Sequence, residues 1–282
     1  MELLYQLLGR LLFLLVRIYE LLWLLHLRLH ALVCRSYDYW RSKAARERCE
    51  RAILEQCNAE LTKRPQHLVI VVSPEDRTVD VPLLERIFSY ACIVNIYHIS
   101  VYDTRERGSG YVDLEEVCER MGEERSLVWR PHQIKEQRTK PNSSSKNSNM
   151  LPKGEANGCK HSAQFHELQV NQISAADGHA LIAEVCRELY DNRGTPLVRS
   201  LLDKREELTN HISTQLAKRL GLTVPEPELG IIFARQTCTY GLLPWHVRFT
   251  EFHTHVSGSY FGVKTFANVL YKYSRCEQRW GK

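Results

Sequence analysis

The chain has 282 residues, of which 44% are hydrophobic and 25% charged, so it can form one or two domains with a substantial core. Its net charge of +5 is small, and no zinc-finger or RNA-recognition pattern is present, which argues against a nucleic-acid-binding protein. Nine cysteines are dispersed without a Cys-x-x-Cys pair, a usage typical of reduced thiols that face the cytosol.

Residues 1–34 are leucine-rich but interrupted by charged residues, which predicts a membrane-associating amphipathic helix. On a helix turning about 100° per residue, the polar side chains fall within one quadrant; they are Glu2, Gln6, Arg10, Arg17, Glu20 and Arg28. A spanning helix would bury Arg17 and Glu20 near the bilayer centre at about 2.5–3.5 kcal/mol each. The pattern therefore favours a helix that lies in the bilayer surface, and spanning stays an alternative.

A basic connector, residues 35–64, follows and places the rest of the chain on the cytoplasmic side of the membrane. Within it, residues 47–62 have helical spacing. The remaining residues, 65–282, are interpreted as a single α/β domain because strand and helix patterns alternate, which predicts a parallel sheet flanked by helices. The predicted strands are 67–73, 97–103, 165–170, 228–234 and 246–253; the predicted helices are 81–94, 113–121, 176–191, 196–221 and 260–278.

The periodic pattern fails at about 131–162, where the chain is rich in Ser, Asn and Lys. Such a composition buries too little apolar area to offset the entropy of ordering, so we interpret this stretch as a disordered insertion.

Common catalytic patterns are absent from the sequence. The first strand is followed by Ser73-Pro74-Glu75-Asp76-Arg77, without the glycines of a phosphate-binding loop. His246, His253 and His255 could suggest a metal, but no carboxylate or cysteine completes a ligand set, and packing or surface histidines are the favoured interpretation.

Two segments near the carboxyl terminus, "GLLPWHVRFTEF" (241–252) and "CEQRWGK" (276–282), resemble the non-catalytic subunits of the cis-prenyltransferase family. The resemblance runs from the apolar amino-terminal segment to the last residue and is most specific over about 240–282. It implies a cis-prenyltransferase-like domain. It also implies an accessory subunit of a heteromeric enzyme at the endoplasmic reticulum membrane, with its globular domain facing the cytosol, that makes dehydrodolichyl diphosphate for dolichol synthesis and protein glycosylation.

The departures from the catalytic members imply that this chain is inactive alone. Active members carry Asp-Gly-Asn after the first strand, where this chain has Ser73, Pro74 and Glu75. A serine does not replace a carboxylate as a Mg²⁺ ligand. The Arg-x-Ser-x-x-x-Arg motif that holds isopentenyl diphosphate in active members is replaced at its three functional positions by Ile232, Ala234 and Cys238. The resemblance therefore implies that Mg²⁺ is held mainly by a catalytic partner subunit and the diphosphates.

The same resemblance gives the terminal residues a function. In such heteromers an Arg-x-Gly ending, here Arg279 and Gly281 with Trp280 between them, reaches the partner's active site and contacts isopentenyl diphosphate, which is added to the growing polyprenyl diphosphate. The predicted partner interface comprises four aromatic residues, Trp245, Phe249, Phe252 and Phe266, for each of which core packing is the alternative. Two other interpretations stay open: a membrane-anchored receptor or scaffold, and a self-sufficient homodimeric prenyltransferase.

Overall fold

Six parallel strands form the central sheet of the domain in a computed structural model, which describes residues 2–106, 108, 110–122, 127–130, 168–220 and 225–277. The order across the sheet is β3-β4-β2-β1-β5-β6. The strands are β1 (His67–Val72), β2 (His98–Asp103), β3 (Leu127–Arg130), β4 (Leu168–Ile173), β5 (Leu229–Ala234) and β6 (Glu251–Val256).

Helices cover the sheet on both faces, so its central strands β1 and β5 are buried at every position. One core cluster contains Leu54, Phe88 and Phe266, and a smaller one contains Val71, Ile232 and Leu243. The helices are α1 (Glu2–Trp40), α2 (Lys43–Glu60), α3 (Val81–Ile93), α4 (Leu114–Gly122), α5 (His179–Asp191), α6 (Pro196–Leu202), α7 (Arg205–Leu220) and α8 (Val263–Arg275). The predicted α/β class, with a parallel sheet, flanking helices and an amino-terminal helix, is confirmed.

The local predictions succeed where the sequence signal is strong. The apolar β-branched run at residues 67–72 forms β1, and Asp80 caps α3 by accepting a hydrogen bond from the Leu83 backbone N–H at 3.0 Å. The predicted strand at 246–253 is wrong in position, because β6 begins only at Glu251. His246 and Val247 instead donate backbone hydrogen bonds to the Leu243 carbonyl in a turn.

Three further boundaries differ from the sequence prediction. The helical stretch at 196–221 divides into α6 and α7, because Asp203 and Lys204 donate backbone hydrogen bonds that close α6. The predicted strand at 165–170 is observed at 168–173, and a short 3₁₀ turn at Ala175–Asp177 precedes α5. The predicted insertion at 131–162 lies outside the described residues.

The amino-terminal segment forms one helix that extends past residue 34 to Trp40. Large apolar side chains are exposed along its first eight turns, among them Leu15, Leu22 and Trp23. No helix among the described residues is long and apolar enough to cross a membrane. The second half of α1 approaches the domain through Leu24, Arg28 and neighbouring residues, on the same side of the helix as the polar stripe.

A polar network joins α1 and α2 to the rest of the domain. Arg86 of α3 lies at its centre, with Nη1 3.0 Å from Asp38 Oδ2 and Nη2 2.7 Å from Glu50 Oε1. Tyr260 donates to Asp38 at 2.5 Å, and Tyr90 donates to Glu50 at 2.8 Å. Burial raises the pKa of Tyr90, so that its hydroxyl stays protonated and keeps this donor role.

We expect Arg86→Ala to lower the free energy of unfolding by about 3 kcal/mol, because it leaves two half-buried carboxylates without their cation. The measurement is urea denaturation of the full chain in mild detergent. The matched control is Arg120→Ala, which removes an exposed arginine 3.0 Å from Glu85 and should cost less than about 1 kcal/mol. Equal losses for the two variants would show that the network does not stabilise the docked helices.

Candidate functional site

The carboxyl ends of β1, β2, β4 and β5 form the edge where open parallel sheets place their ligand sites. The loop after β1 begins at Ser73, whose backbone N–H donates to the Phe233 carbonyl at 3.0 Å. Pro74 and Glu75 are exposed, whereas Asp76 is fully buried. This loop occupies the position that the resemblance assigns to the Mg²⁺ and diphosphate site of active enzymes.

The carboxylate of Asp76 accepts hydrogen bonds from residues of its own loop. Its Oδ1 accepts from the backbone N–H groups of Thr78 at 2.7 Å and Val79 at 2.9 Å, and from the Thr78 hydroxyl at 3.0 Å. An aspartate that accepts from residues two and three positions later forms an Asx-type turn. Its oxygens are therefore used to hold the loop closed.

A buried ion pair closes the neighbouring loop after β2. The Arg105 guanidinium contacts Asp103 through both carboxylate oxygens, with Nε 2.9 Å from Oδ1 and Nη2 2.6 Å from Oδ2. The arginine also donates to the Val79 carbonyl at 2.8 Å, and the Val112 N–H donates to Asp103 at 3.3 Å. The pair thus ties the loops after β1 and β2 together, with almost no exposed side-chain surface.

The loop after β5 packs backbone against backbone over the same edge. A Cβ on Gly178 would lie 2.6 Å from the Gly241 carbonyl oxygen, so this close approach requires glycine. Tyr240 has a positive φ of 51°, and its carbonyl accepts from the Tyr102 hydroxyl at 2.9 Å. Cys238, one of the three positions aligned with the isopentenyl diphosphate motif, is exposed in this loop.

The other two aligned positions, Ile232 and Ala234, are fully buried in β5. Their side chains belong to the smaller core cluster, together with Leu242 and Leu243. These positions therefore present apolar packing surface, with no group that could bind a phosphate.

The described residues of this edge do not fit a resident Mg²⁺ ion. Both Asp76 and Asp103 use their oxygens in loop hydrogen bonds and an ion pair. Across the ranges that the structure describes, no cluster of three or more His, Cys, Asp or Glu side chains is arranged to hold a metal.

The three histidines weighed as metal ligands lie in different environments. His255 lies 2.8 Å from the Ser259 hydroxyl and packs edge-on against Phe261, and burial lowers its pKa. His253 lies 2.8 Å from Glu251 on the same strand. Burial also lowers the pKa of His246, which lies in the turn before β6.

The last described turn of the chain, at the end of α8, lies at the opposite edge of the sheet, where the strands begin. Thr62 donates its hydroxyl to the Ser274 carbonyl at 2.8 Å, and Lys63 donates to the Cys276 carbonyl at 2.5 Å. Residues 62 and 63 directly precede the amino end of β1, so the last turn of α8 is fixed there. Arg279, Trp280 and Gly281 lie outside the described residues.

The predicted interface residues differ in exposure. Phe266 is fully buried, with its ring 5.5 Å from that of Tyr90, so an interfacial Phe266 is wrong: it is a core residue. Trp245 donates to the Ser213 hydroxyl at 2.9 Å, and Phe249 keeps 46% of its surface exposed. Phe252 is half-buried.

The half-buried Phe252 is held by its neighbouring strand. Its ring lies over Gly230, where a Cβ would come within 2.3 Å of a ring carbon. The two residues are paired in the β5–β6 register, so Gly230 gives the ring its place on the sheet. Trp245, Phe249 and Phe252 remain interface predictions.

The comparisons with known proteins agree with the resemblance. No protein-family model matches the chain. The human dehydrodolichyl diphosphate synthase complex subunit NUS1 is 26% identical over 226 residues, which cover 79% of this chain and 68% of the human protein. The chain is homologous to NUS1. The mouse Nus1 subunit is 30% identical over 113 residues, 40% of this chain and 36% of the mouse protein.

Among solved structures, a probable undecaprenyl diphosphate synthase from Campylobacter jejuni matches with a TM-score of 0.47 at 11% identity, covering 78% of this NUS1 homologue and 100% of the bacterial chain. Lavandulyl diphosphate synthase from Lavandula x intermedia, in complex with dimethylallyl diphosphate, matches with a TM-score of 0.47 at 14% identity, covering 77% and 98%.

Proposed function

We propose that the chain is an accessory, catalytically incomplete subunit of a heteromeric cis-prenyltransferase that makes dehydrodolichyl diphosphate from isopentenyl diphosphate units. Homology to a subunit of the dehydrodolichyl diphosphate synthase complex supports the enzyme and its place in dolichol synthesis. The closed loops at the carboxyl edge support catalytic incompleteness, because Asp76 and Arg105 are already engaged by their own loops. In the complex, Mg²⁺ would be held mainly by the catalytic partner and the diphosphates.

We propose that Arg279 acts in another chain because of where α8 ends. The last turn of α8, which precedes Arg279 in the chain, is fixed beside residues 62 and 63, at the amino edge of the sheet. The carboxyl edge lies a strand length away, about 17–20 Å for six residues. Two residues beyond Glu277 extend the backbone by at most about 7 Å. Arg279 therefore falls short of its own carboxyl edge, which supports action in a neighbouring subunit.

The proposed chemistry of the tail follows from its residue types. A guanidinium bridges two diphosphate oxygens with parallel hydrogen bonds, a geometry that lysine does not reproduce. Glycine lets its backbone N–H approach a phosphate oxygen closely. Arg279 would thus bind and orient the diphosphate of isopentenyl diphosphate, which stays in the product, while Gly281 gives the backbone room.

We expect Arg279→Ala and Arg279→Lys to lower the rate of the heteromer about 100- to 1,000-fold, the usual cost of losing one preorganised donor. The measurement is incorporation of isopentenyl diphosphate by the purified heteromer, with complex assembly checked by gel filtration. The matched control is Arg275→Ala, an exposed arginine in the last turn of α8, which should keep full activity.

A fully active Arg279→Ala heteromer would refute the proposed role of the tail. An inactive heteromer in which the Arg275 and Arg279 variants fail equally would show that α8 has been disturbed as a whole. Activity of the isolated chain would instead identify a self-sufficient homodimeric enzyme. If adding the chain leaves the activity of a catalytic partner unchanged, a receptor or scaffold would be supported.

Strand β6 and the turn before it are the proposed interface with the catalytic partner. β6 is the edge strand next to β5 and is only half-buried at all six positions, unlike the fully buried strand beside it. Parallel sheets are normally covered on both faces, so such a strand is suited to cover by another chain. Phe249, 46% exposed beside it, supplies an aromatic anchor.

We expect Phe249→Asp to weaken partner binding by about tenfold or more while the chain stays folded, because the change places a charge at a desolvated aromatic contact. The measurement is the dissociation constant of the heteromer by surface plasmon resonance. Tyr190→Asp, a change at an aromatic residue of α5 that is 64% exposed, is the matched control and should leave binding unchanged. Unaltered affinity of the Phe249 variant would remove this surface from the interface.

We also propose that α1 holds the complex in the surface of the endoplasmic reticulum membrane with the globular domain in the cytosol. The side of α1 that approaches the domain carries the polar stripe, so the apolar arc points away from the domain. Leu15 and Leu22 lie at the centre of that arc, about 180° around the helix from the stripe.

We expect the double variant Leu15→Asp/Leu22→Asp to lose at least about tenfold in affinity for phosphatidylcholine vesicles, because each aspartate costs up to about 2.5–3.5 kcal/mol in hydrocarbon. Vesicle flotation of the full chain measures this. The control, Leu197→Asp/Leu202→Asp, makes the same change at exposed leucines of α6 and should leave flotation intact. Retained flotation of the α1 variant would refute surface anchoring by this helix.

A further inference from the structure

A crevice of about 300 Å³ separates the second half of α1 from the carboxyl edge of the sheet. The helix contributes one wall, and the loops after β1, β5 and β6 contribute the other. This volume is at the small end of the range for ligand sites, large enough for a polar headgroup but too small for a complete lipid. The crevice is separate from the proposed interface at Phe249 and from the terminal tail.

Four arginines line the crevice with a single carboxylate. Arg28 and Arg35 come from α1, Arg77 from the loop after β1, and Arg235 from the end of β5; Glu75 is the acidic residue. Arg28, Arg35 and Arg235 form no ion pair with any acidic side chain of the described ranges. All four arginines are exposed, and like charges gathered along one crevice raise the local positive potential, which an anion would offset.

A neighbouring cavity does not share this charge imbalance. A larger neighbouring cavity of about 490 Å³, between α1, α2, α3 and α4, is lined by five basic and four acidic side chains. Its central arginine, Arg86, is already engaged by Asp38 and Glu50. The larger cavity therefore has little preference for an anion, although it shares Arg35 and Thr78 with the crevice.

The helical wall of the crevice is also apolar. Leu24, Leu27, Ala31 and Leu32 line it between the arginines. The apolar arc of α1 begins beside these residues, on the surface that we propose to contact the bilayer. A ligand with a phosphate at one end and hydrocarbon at the other would match this arrangement, because its tails could leave along α1.

We propose that the crevice binds the phosphate headgroup of an anionic membrane phospholipid, with phosphatidic acid as the simplest example. Arginine pairs with phosphate oxygens through two parallel hydrogen bonds, and arginines from both walls would contact one headgroup. Bound lipid would thereby join α1 to the domain at the membrane surface. The inference extends the membrane attachment proposed above, but it is tested with lipid in detergent solution, where vesicle binding is not required.

The experiment is native mass spectrometry of the full chain in non-ionic detergent, titrated with short-chain phosphatidic acid, short-chain phosphatidylcholine or inorganic phosphate. We expect one phosphatidic acid per chain, bound about tenfold more tightly than phosphatidylcholine. Arg28→Gln/Arg235→Gln, one substitution in each wall, should weaken phosphatidic acid binding about tenfold. Arg41→Gln/Arg48→Gln removes the same charge outside the crevice and should leave binding unchanged.

The other outcomes overturn the proposal. An equal loss for the two double variants would indicate diffuse surface charge, and equal binding of phosphatidylcholine would show that the phosphate monoester is not recognised. Inorganic phosphate bound as tightly as phosphatidic acid would make the crevice a site for a free anion. Thermal melting, monitored by circular dichroism, verifies that each variant is folded. If Arg28→Gln/Arg235→Gln unfolds the chain, Arg235→Gln alone, a change in the loop after β5, replaces the double variant.

Discussion

The bonds of Arg86 to Asp38 and Glu50 fix the position of the amino-terminal helix α1 relative to the globular domain. Without them, α1 would be joined to the domain through the short connection to α2. The network brings three helices and the β6–α8 loop to one guanidinium, through Tyr90 and Tyr260 as well as the carboxylates. Its members are half-buried or buried, so each charge depends on the others for solvation. Both the crevice beneath α1 and the orientation of its apolar arc follow from this attachment.

In a parallel sheet all the strands begin at one edge and end at the other, a full strand length away. In this chain the two edges carry different structures. At the carboxyl edge, Asp103 and Arg105 close the loops where a catalytic site would normally form. At the amino edge, Lys63 and Thr62 hold the last turn of α8. The last turn of α8, which precedes the groups proposed to contact diphosphate, is therefore separated from the chain's own carboxyl edge by the full length of the strands. This separation is compatible with a subunit whose chemistry takes place in its neighbour.

The sequence predicts those parts of the fold that depend on local chemistry. A continuous apolar run specifies β1, and an aspartate cap specifies the start of α3, because each signal lies within a few residues. The start of β6 is predicted five residues too early, because the apolar spacing before Glu251 continues through a turn whose hydrogen bonds return to Leu243. Alternation of apolar and polar side chains does not distinguish such a turn from a strand.

For the candidate site, the sequence predicts which metal- and phosphate-binding groups are missing, but not the contacts that the remaining residues make. The family resemblance places Ser73 where active enzymes have a Mg²⁺ ligand. The engagement of Asp76 could be found only by recognising the Asx turn that leads to Thr78. Apart from Arg86 and Tyr90, the hydrogen-bonded pairs of the α1 network are 36 to 222 residues apart in the chain, so no local pattern indicates them. Nor does the sequence tell whether Phe266 is core or interface, because apolar aromatic residues serve both.

The polar stripe of α1 has two functions along its length, which the sequence pattern alone does not distinguish. In the first half, Arg17 and Glu20 pair with each other at 3.6 Å and remain exposed. In the second half the same stripe faces the domain, with Arg28 at the crevice and Asp38 in the network. With α1 in the membrane surface, as we propose, the carboxyl edge beneath it also faces the bilayer. The last turn of α8 then lies at the end of the sheet away from the membrane, the end from which we propose that Arg279 reaches the catalytic subunit.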